Sequence, residues 1–430
     1  MTMEYNILKH TPKIKLYPKK YLSIKGQKVL CPYGYTEDQI LKIIKNNDYI
    51  KIFNLQERPL YKLPTNKIEI YQHKDTNVYA FPILVAPRIF NTKILTEQDT
   101  FDIPNDVVLD NQNNKCLIII DNVYEHTYPL QNTKNDTCRI FYNVLENTIK
   151  KYNLNTESMV FNVNNYNPPK VFNIDTVACN LSLGIEFYEN DMEKYHENTK
   201  NLENPQHRPF KLIATNSRPR KHRCDFAEFV FTNNLLEDNI ISFNSTEQDV
   251  NDFNPNNNYT FKKTLPWHNK IENPNGEPQN INTLWSHFID YKLYNKGYCE
   301  FVYETEFEPQ ERGVLLTEKI NRSLKHLNPF VIAGTSGSLE VLKSYGFKTF
   351  DKWWDESYDT INNPEEKTEK LNSLFLELSN WSHDKWCSTL KEMSPILTQN
   401  YYTYYRIHTK VEYLKDIEKY IDDFVAKNDK

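Results

Sequence analysis

The chain has 430 residues, with 52 Lys and Arg against 57 Asp and Glu; its formal net charge of -5 argues against a general nucleic-acid binder while leaving room for a local basic groove. Its 39% hydrophobic content, rich in Tyr and Phe, supplies a large core, and because single cores stop growing at roughly 250–300 residues, two domains are expected. The seven cysteines are scattered without a CxxC pair, which argues against structural zinc and for a reducing, cytoplasmic setting; no stretch approaches the ~18–20 apolar residues of a membrane span.

In chain order, Thr36 to Gln39 form a cap signal before Ile40, Leu41, Ile43 and Ile44, a short amphipathic helix. Residues 49–53, 68–71 and 78–81 read as strands. The uninterrupted apolar run from Cys116 to Ile120 suits a central parallel strand covered on both faces. It ends at Asp121, so residues 121–126 fall where open α/β sheets place ligands. A helix over 137–152 and a strand over 159–163 follow, and this β–α–β order predicts a doubly wound domain.

The polar stretch 189–209 reads as a linker. Beyond it the pattern predicts a strand over 210–215, a basic turn over 218–223, a helix over 226–235 and a strand over 239–243. Residues 244–282, rich in Asn and Pro, read as an excursion or a lid. A strand over 298–304, a helix over 316–326, a strand over 330–333 and a helix over 338–344 complete this region, and the chain from 364 onward is predominantly helical. The fold class is α/β, with domains at 1–205 and 206–360 and C-terminal helices over 361–430.

Three features point to a ligand site. Only nine glycines occur, yet Gly334, Gly337 and Gly346 fall close together, marking a backbone that bends or approaches a ligand. Arg218, Arg220 and Arg223 lie between a strand and a helix start, where arginine forks suit a diphosphate; the alternative is a solvated basic turn paired with Asp225 and Glu228. Thr317, Glu318 and Lys319 open a helix, where Glu318 can hold a ribose diol and Lys319 a phosphate; taken alone, the trio reads as an N-cap with an acidic first turn.

From Phe210 to about Asn400 the chain resembles the C-terminal half of a family of GT-B glycosyltransferases common in phages and bacteria. The motifs are Asn216 to Arg223 with Ile241 to Phe243, Val302 to Thr305, Leu316 to Ile320, Pro329 to Gly334, and Leu342 to Phe350 leading into Trp354 to Asp359. The Thr317-Glu318-Lys319 helix is also similar to the donor-binding motif of α-1,3-fucosyltransferases. The resemblance implies two Rossmann-like domains, C-terminal helices over 361–430 that cross back to the first domain, and a nucleotide-diphosphate-sugar substrate. It implies Glu318 on the donor ribose, Lys319 on the diphosphate, and Arg218, Arg220, Arg223, Glu304, Thr317 and Gly334 around the donor. Lys325 and His326 depart from the family pattern, as does the absence of a retaining-type acidic pair at Glu318.

GT-B enzymes of this kind need no metal and no further cofactor, and Asp351 and Asp355 do not form a metal-binding DxD pair. An inverting reaction needs a general base, for which Asp121, Glu125 and His126 are the candidates. The acceptor is expected to be a glycan or a modified base in viral DNA. The alternative is a non-catalytic nucleotide- or glycan-binding protein that kept the fold.

Overall fold

The structure, a computed structural model, describes residues 15–16, 20–24, 27–31, 34–36, 38–39, 78–85, 95–122, 128–129, 131, 136–163, 165–166, 168–178, 202–203, 205–257, 259–268, 294–309, 313–409 and 415–428. The first strands are β1 (Lys15–Leu16), β2 (Lys20–Ile24), β3 (Gln27–Cys31) and β4 (Tyr79–Leu84). Then come α1 (Asn105–Gln112), β5 (Cys116–Asn122), α2 (Asp136–Tyr152), β6 (Met159–Val163), β7 (Asn165–Tyr166) and β8 (Asp175–Ala178). The chain continues with β9 (Leu212–Asn216), α3 (Lys221–Thr232), β10 (Asn239–Phe243), α4 (Glu247–Phe253), β11 (Trp267–His268) and β12 (Cys299–Tyr303). Last are β13 (Val314–Leu315), α5 (Lys319–Lys325), β14 (Phe330–Ala333), α6 (Ser338–Ser344), α7 (Pro364–Ser379), α8 (His383–Thr409) and α9 (Lys415–Asn428).

Two compact units result, one comprising Met1–Leu181 with Thr409–Lys430 and the other Ser182–His408. The first boundary therefore lies earlier than the expected 205/206. Of the expected C-terminal segment, 361–408 belongs to the second unit, and only the residues from Thr409 onward group with the first.

In the first unit, β1, β4, β5, β6 and β8 form a parallel sheet in that order. The apolar run at 117–120 is fully buried, as expected of a strand covered on both faces. Helix α2 turns Cys138, Phe141, Val144, Leu145 and Thr148 inward, at the three- and four-residue spacing of one helical face. Helix α9 adds Ile417, Ile421 and Phe424 to the same core, and the Tyr420 hydroxyl donates to Asp175 Oδ2 at 3.2 Å.

In the second unit the sheet order is β11-β10-β9-β12-β14, parallel except for the edge strand β11. The order reverses at β9: β10 lies to one side of it, and β12 and β14 to the other. Alternation along β12 sends Glu300 and Val302 to one face and Phe301 and Tyr303 to the other. Arg322 and Ser323 of α5 meet Glu300, whereas Phe226 of α3 lies 4.5 Å from Tyr303 and Phe375 of α7 lies 4.9 Å from Phe301. Helices thus cover both faces of this sheet.

Three expectations are corrected. Helix α3 starts at Lys221, not Phe226, so Arg223 lies within a helix and not in a turn. Helix α5 starts at Lys319, which leaves Thr317 and Glu318 ahead of it. The start of 244–282 is regular, with Thr246 and Asp249 forming a capping box on α4 and Trp267 and His268 forming the edge strand. The helix expected over 40–44 and the strands expected over 49–53 and 68–71 lie outside the described residues, as does most of the linker.

Candidate functional site

Strands β9 and β12 pair only through Leu212↔Cys299 and Ile213↔Glu300. Beyond these pairs they part toward their carboxyl ends, at the position where strand order reverses. That is where open α/β sheets leave a crevice. The residues at its rim are Asn216 to Arg220 after β9, Glu304 and Thr305 after β12, and Gly334 to Gly337 after β14.

Glu304 anchors the rim. Its carboxylate is fully buried, and it accepts from the Thr317 backbone N–H at 3.1 Å, the Thr317 hydroxyl, and the Thr305 N–H at 3.2 Å. Thr317 is therefore not an N-cap: its side chain turns back to β12, while Glu318 occupies the cap position without capping. The Lys319 ammonium lies 3.7 Å from Glu304 and donates to the hydroxyls of Thr305 at 3.0 Å and Thr317 at 2.8 Å. An ammonium has three N–H donors, so one remains for a ligand oxygen, and the side chain is one-fifth exposed. Glu318 Oε1 also lies 3.7 Å from Lys319. Two carboxylates thus flank one ammonium, and an anion bound here needs positive charge from elsewhere.

Part of that charge comes from the loop after β9. Arg218 is exposed and Arg220 half-buried, at the start of α3, where no side chain caps the helix. Arg223 differs from the expectation of a direct phosphate ligand. It is buried, and its guanidinium donates to the carbonyls of Tyr303 at 2.8 Å and Glu304 at 2.9 Å. Burial, then the neighbouring Arg220, lowers its pKa to about 10. It ties α3 to the end of β12. His222 contacts the Glu304 carbonyl at 3.1 Å and stacks on Phe307 at 4.7 Å; burial first and Arg223 second hold it well below the usual histidine range, and so neutral.

Gly334 also serves packing. A Cβ there would meet Ser338 Oγ at 3.1 Å, Ile332 Cγ2 at 3.2 Å and Glu304 Cβ at 3.3 Å. Only glycine lets β14 lie this close to Glu304 without repacking. Gly337, at φ +90°, makes the left-handed turn into α6.

Asp121, at the end of β5 in the first unit, is fully buried, and its Oδ1 accepts from Asn162 Nδ2 at 3.0 Å. The two side chains form a buried polar pair between neighbouring strands β5 and β6. Glu125 and His126 lie outside the described residues.

Three groups at the rim escaped the sequence reading as site residues. Asn216 is 2% exposed, and among the described residues neither its Oδ1 nor its Nδ2 has a hydrogen-bond partner. The buried Thr335 hydroxyl is also unpartnered. Unsatisfied interior polar atoms are rare in native folds, and these two residues hold three of them at the carboxyl ends of β9 and β14. The third is Lys367 of α7, whose buried Nζ donates to the Gly334 carbonyl at 2.7 Å and to Ser336 Oγ at 3.2 Å. Asn216 was visible as part of the basic stretch, but its burial was not. Lys367, set among Glu365, Glu366 and Glu369, looks in sequence like one more surface charge.

Among the described residues no group of three or more His, Cys, Asp or Glu is arranged to hold a metal ion, and no helix is long and apolar enough to cross a membrane. No family model, curated protein or solved structure matches the chain.

Proposed function

We propose that the chain is a glycosyltransferase that takes a sugar from a nucleotide-diphosphate-sugar, with the donor held by the second unit at the carboxyl ends of β9, β12 and β14. The observation that carries this reading is Lys319: two threonine hydroxyls orient its ammonium at the crevice rim, and one donor is left over. Arg218 and Arg220 supply the bidentate part of the diphosphate hold, and Glu318, one-quarter exposed beside Lys319, takes the ribose hydroxyls. Leaving-group charge is then neutralised by fixed cations and a helix start. The parallel sheets with covering helices support reading both units as Rossmann-like domains of a GT-B enzyme. The acceptor is a glycan or a modified DNA base, and Asp121, Glu125 and His126 stay the candidates for the general base.

The test is a thermal-shift series with UDP, GDP, CDP and their sugars. A ligand at 100 times its Kd stabilises the folded state by about 2.7 kcal/mol, enough for a clear rise in Tm. At least one diphosphate is expected to give that rise, and Lys319→Ala and Glu318→Ala are expected to abolish it while leaving the unliganded Tm within a few degrees. No shift with any nucleotide would overturn the reading.

A further inference from the structure

Lys367 lies beneath the rim and has no place in the donor contacts above. It is 1% exposed, and its ammonium touches only neutral groups: the Gly334 carbonyl, the Ser336 hydroxyl and the face of Phe307, whose centroid is 5.4 Å away. Among the described residues it makes no ion pair within 4 Å. A buried ammonium without a carboxylate in contact is costly, and proteins ordinarily pair such a charge or neutralise it. Burial accordingly draws its pKa down to about 8, with Asp359 opposing the shift from a distance. Arg223 is in the same position, buried and bonded to carbonyl oxygens, with its Nε unpartnered.

These two cations belong to one packed cluster. Gly334, which Lys367 holds, packs against Glu304; Phe307, which Lys367 covers, stacks on His222; and His222 and Arg223 both bond the Glu304 carbonyl. Above this cluster Lys319 is outnumbered by Glu304 and Glu318. With Asp359 counted, Lys319, Lys367 and Arg223 balance Glu304, Glu318 and Asp359, so that losing the Lys367 charge leaves this group net negative toward an anion at the rim.

We propose that Lys367 is a positioning residue for anion binding: a fixed buried charge that attracts a diphosphate at the rim through the protein interior without touching it. The proposal rests on the donor-site reading and adds a residue to it. Because the separation passes through protein, the attraction is weakly screened, and one unit charge at about 10 Å changes affinity on the order of tenfold.

Lys367→Gln removes the charge and keeps a donor for the Gly334 carbonyl, Lys367→Met removes both, and Lys367→Arg keeps the charge. Inorganic pyrophosphate, UDP and the four uncharged ribonucleosides would be titrated by NMR against the full chain and each variant. The proposal expects pyrophosphate and UDP to weaken on the order of tenfold in Lys367→Gln and in Lys367→Met. Lys367→Arg should stay near the natural protein, and nucleoside affinity should not move. Unchanged pyrophosphate affinity in both uncharged variants would overturn it. So would an equal loss for nucleosides and pyrophosphate, which would mark Lys367 as purely structural. If the natural protein binds neither pyrophosphate nor any diphosphate nucleotide, the donor-site reading falls and this inference with it; if it binds and the variants match it, only the inference falls.

Discussion

At the residue scale, one hydroxyl does two things at once: Thr317 donates to Glu304 and accepts from Lys319. Thr317→Val keeps the shape and removes both bonds, leaving a buried carboxylate short of a donor. A loss of about 1–3 kcal/mol in denaturant unfolding is expected, together with weaker diphosphate binding, and Thr317→Ser should restore both. The same neighbourhood makes stability depend on pH in a readable direction. Burial raises Asp359 from 3.8 to about 6, despite the Leu339 N–H it accepts. The folded state therefore holds this proton more tightly, so the stabilisation is full below about pH 4 and is lost as pH rises through 6. Lys367 runs the other way: with its pKa lowered to about 8, the unfolded chain binds more protons above that value, and stability rises toward pH 10. The stability difference between the natural protein and Asp359→Asn should decline by up to about 3 kcal/mol between pH 4 and 6. A flat difference would contradict the assignment. None of this is visible in sequence, because Asp359 and Lys367 differ from surface charges only in being buried.

Elements were more legible than residues, and the exceptions have a physical cause. Strands β5 and β14 were readable because uninterrupted apolar runs of five and four residues need cover on both faces, and β6, β10 and β12 from shorter apolar stretches bounded by polar residues. The first turn of α3 was not, since His222 and Arg223 are buried there beside Cys224, and polar residues on the buried face hide the helical period. Likewise Thr317 looked like a cap because local sequence cannot show a carboxylate thirteen residues away taking its hydroxyl. Arg223 joins these two elements, so Arg223→Met should loosen them. The carbonyls of Tyr303 and Glu304 would lose a charged donor, with an expected cost of about 1.5–3 kcal/mol in unfolding. Amide exchange should quicken at the ends of β12 and α3 and stay slow in α7. Uniform loss of protection across the unit would speak against a local tie.

At the scale of the molecule, the chain order of the units could not be read from linker composition. Polarity marks where a chain is exposed, and it says nothing about which core a distant helix completes. Ile417, Ile421 and Phe424 complete the core of the first unit from the far end of the sequence. A fragment ending at residue 205, the boundary that composition suggests, therefore lacks three buried side chains of its own core, each worth about 1.5–3 kcal/mol when buried. Together they approach the whole stability of an ordinary domain, which is roughly 5–15 kcal/mol. The full chain cut after His408 should accordingly lose exchange protection in β4 to β6 while β9 to β14 keep theirs. A peptide spanning 409–430, added in trans, should restore the lost protection by rebuilding that core. Loss of protection in both units, or none in either, would contradict this division. The first-unit result would also separate stability from donor binding, since every residue assigned to the diphosphate lies in the unit the cut leaves whole.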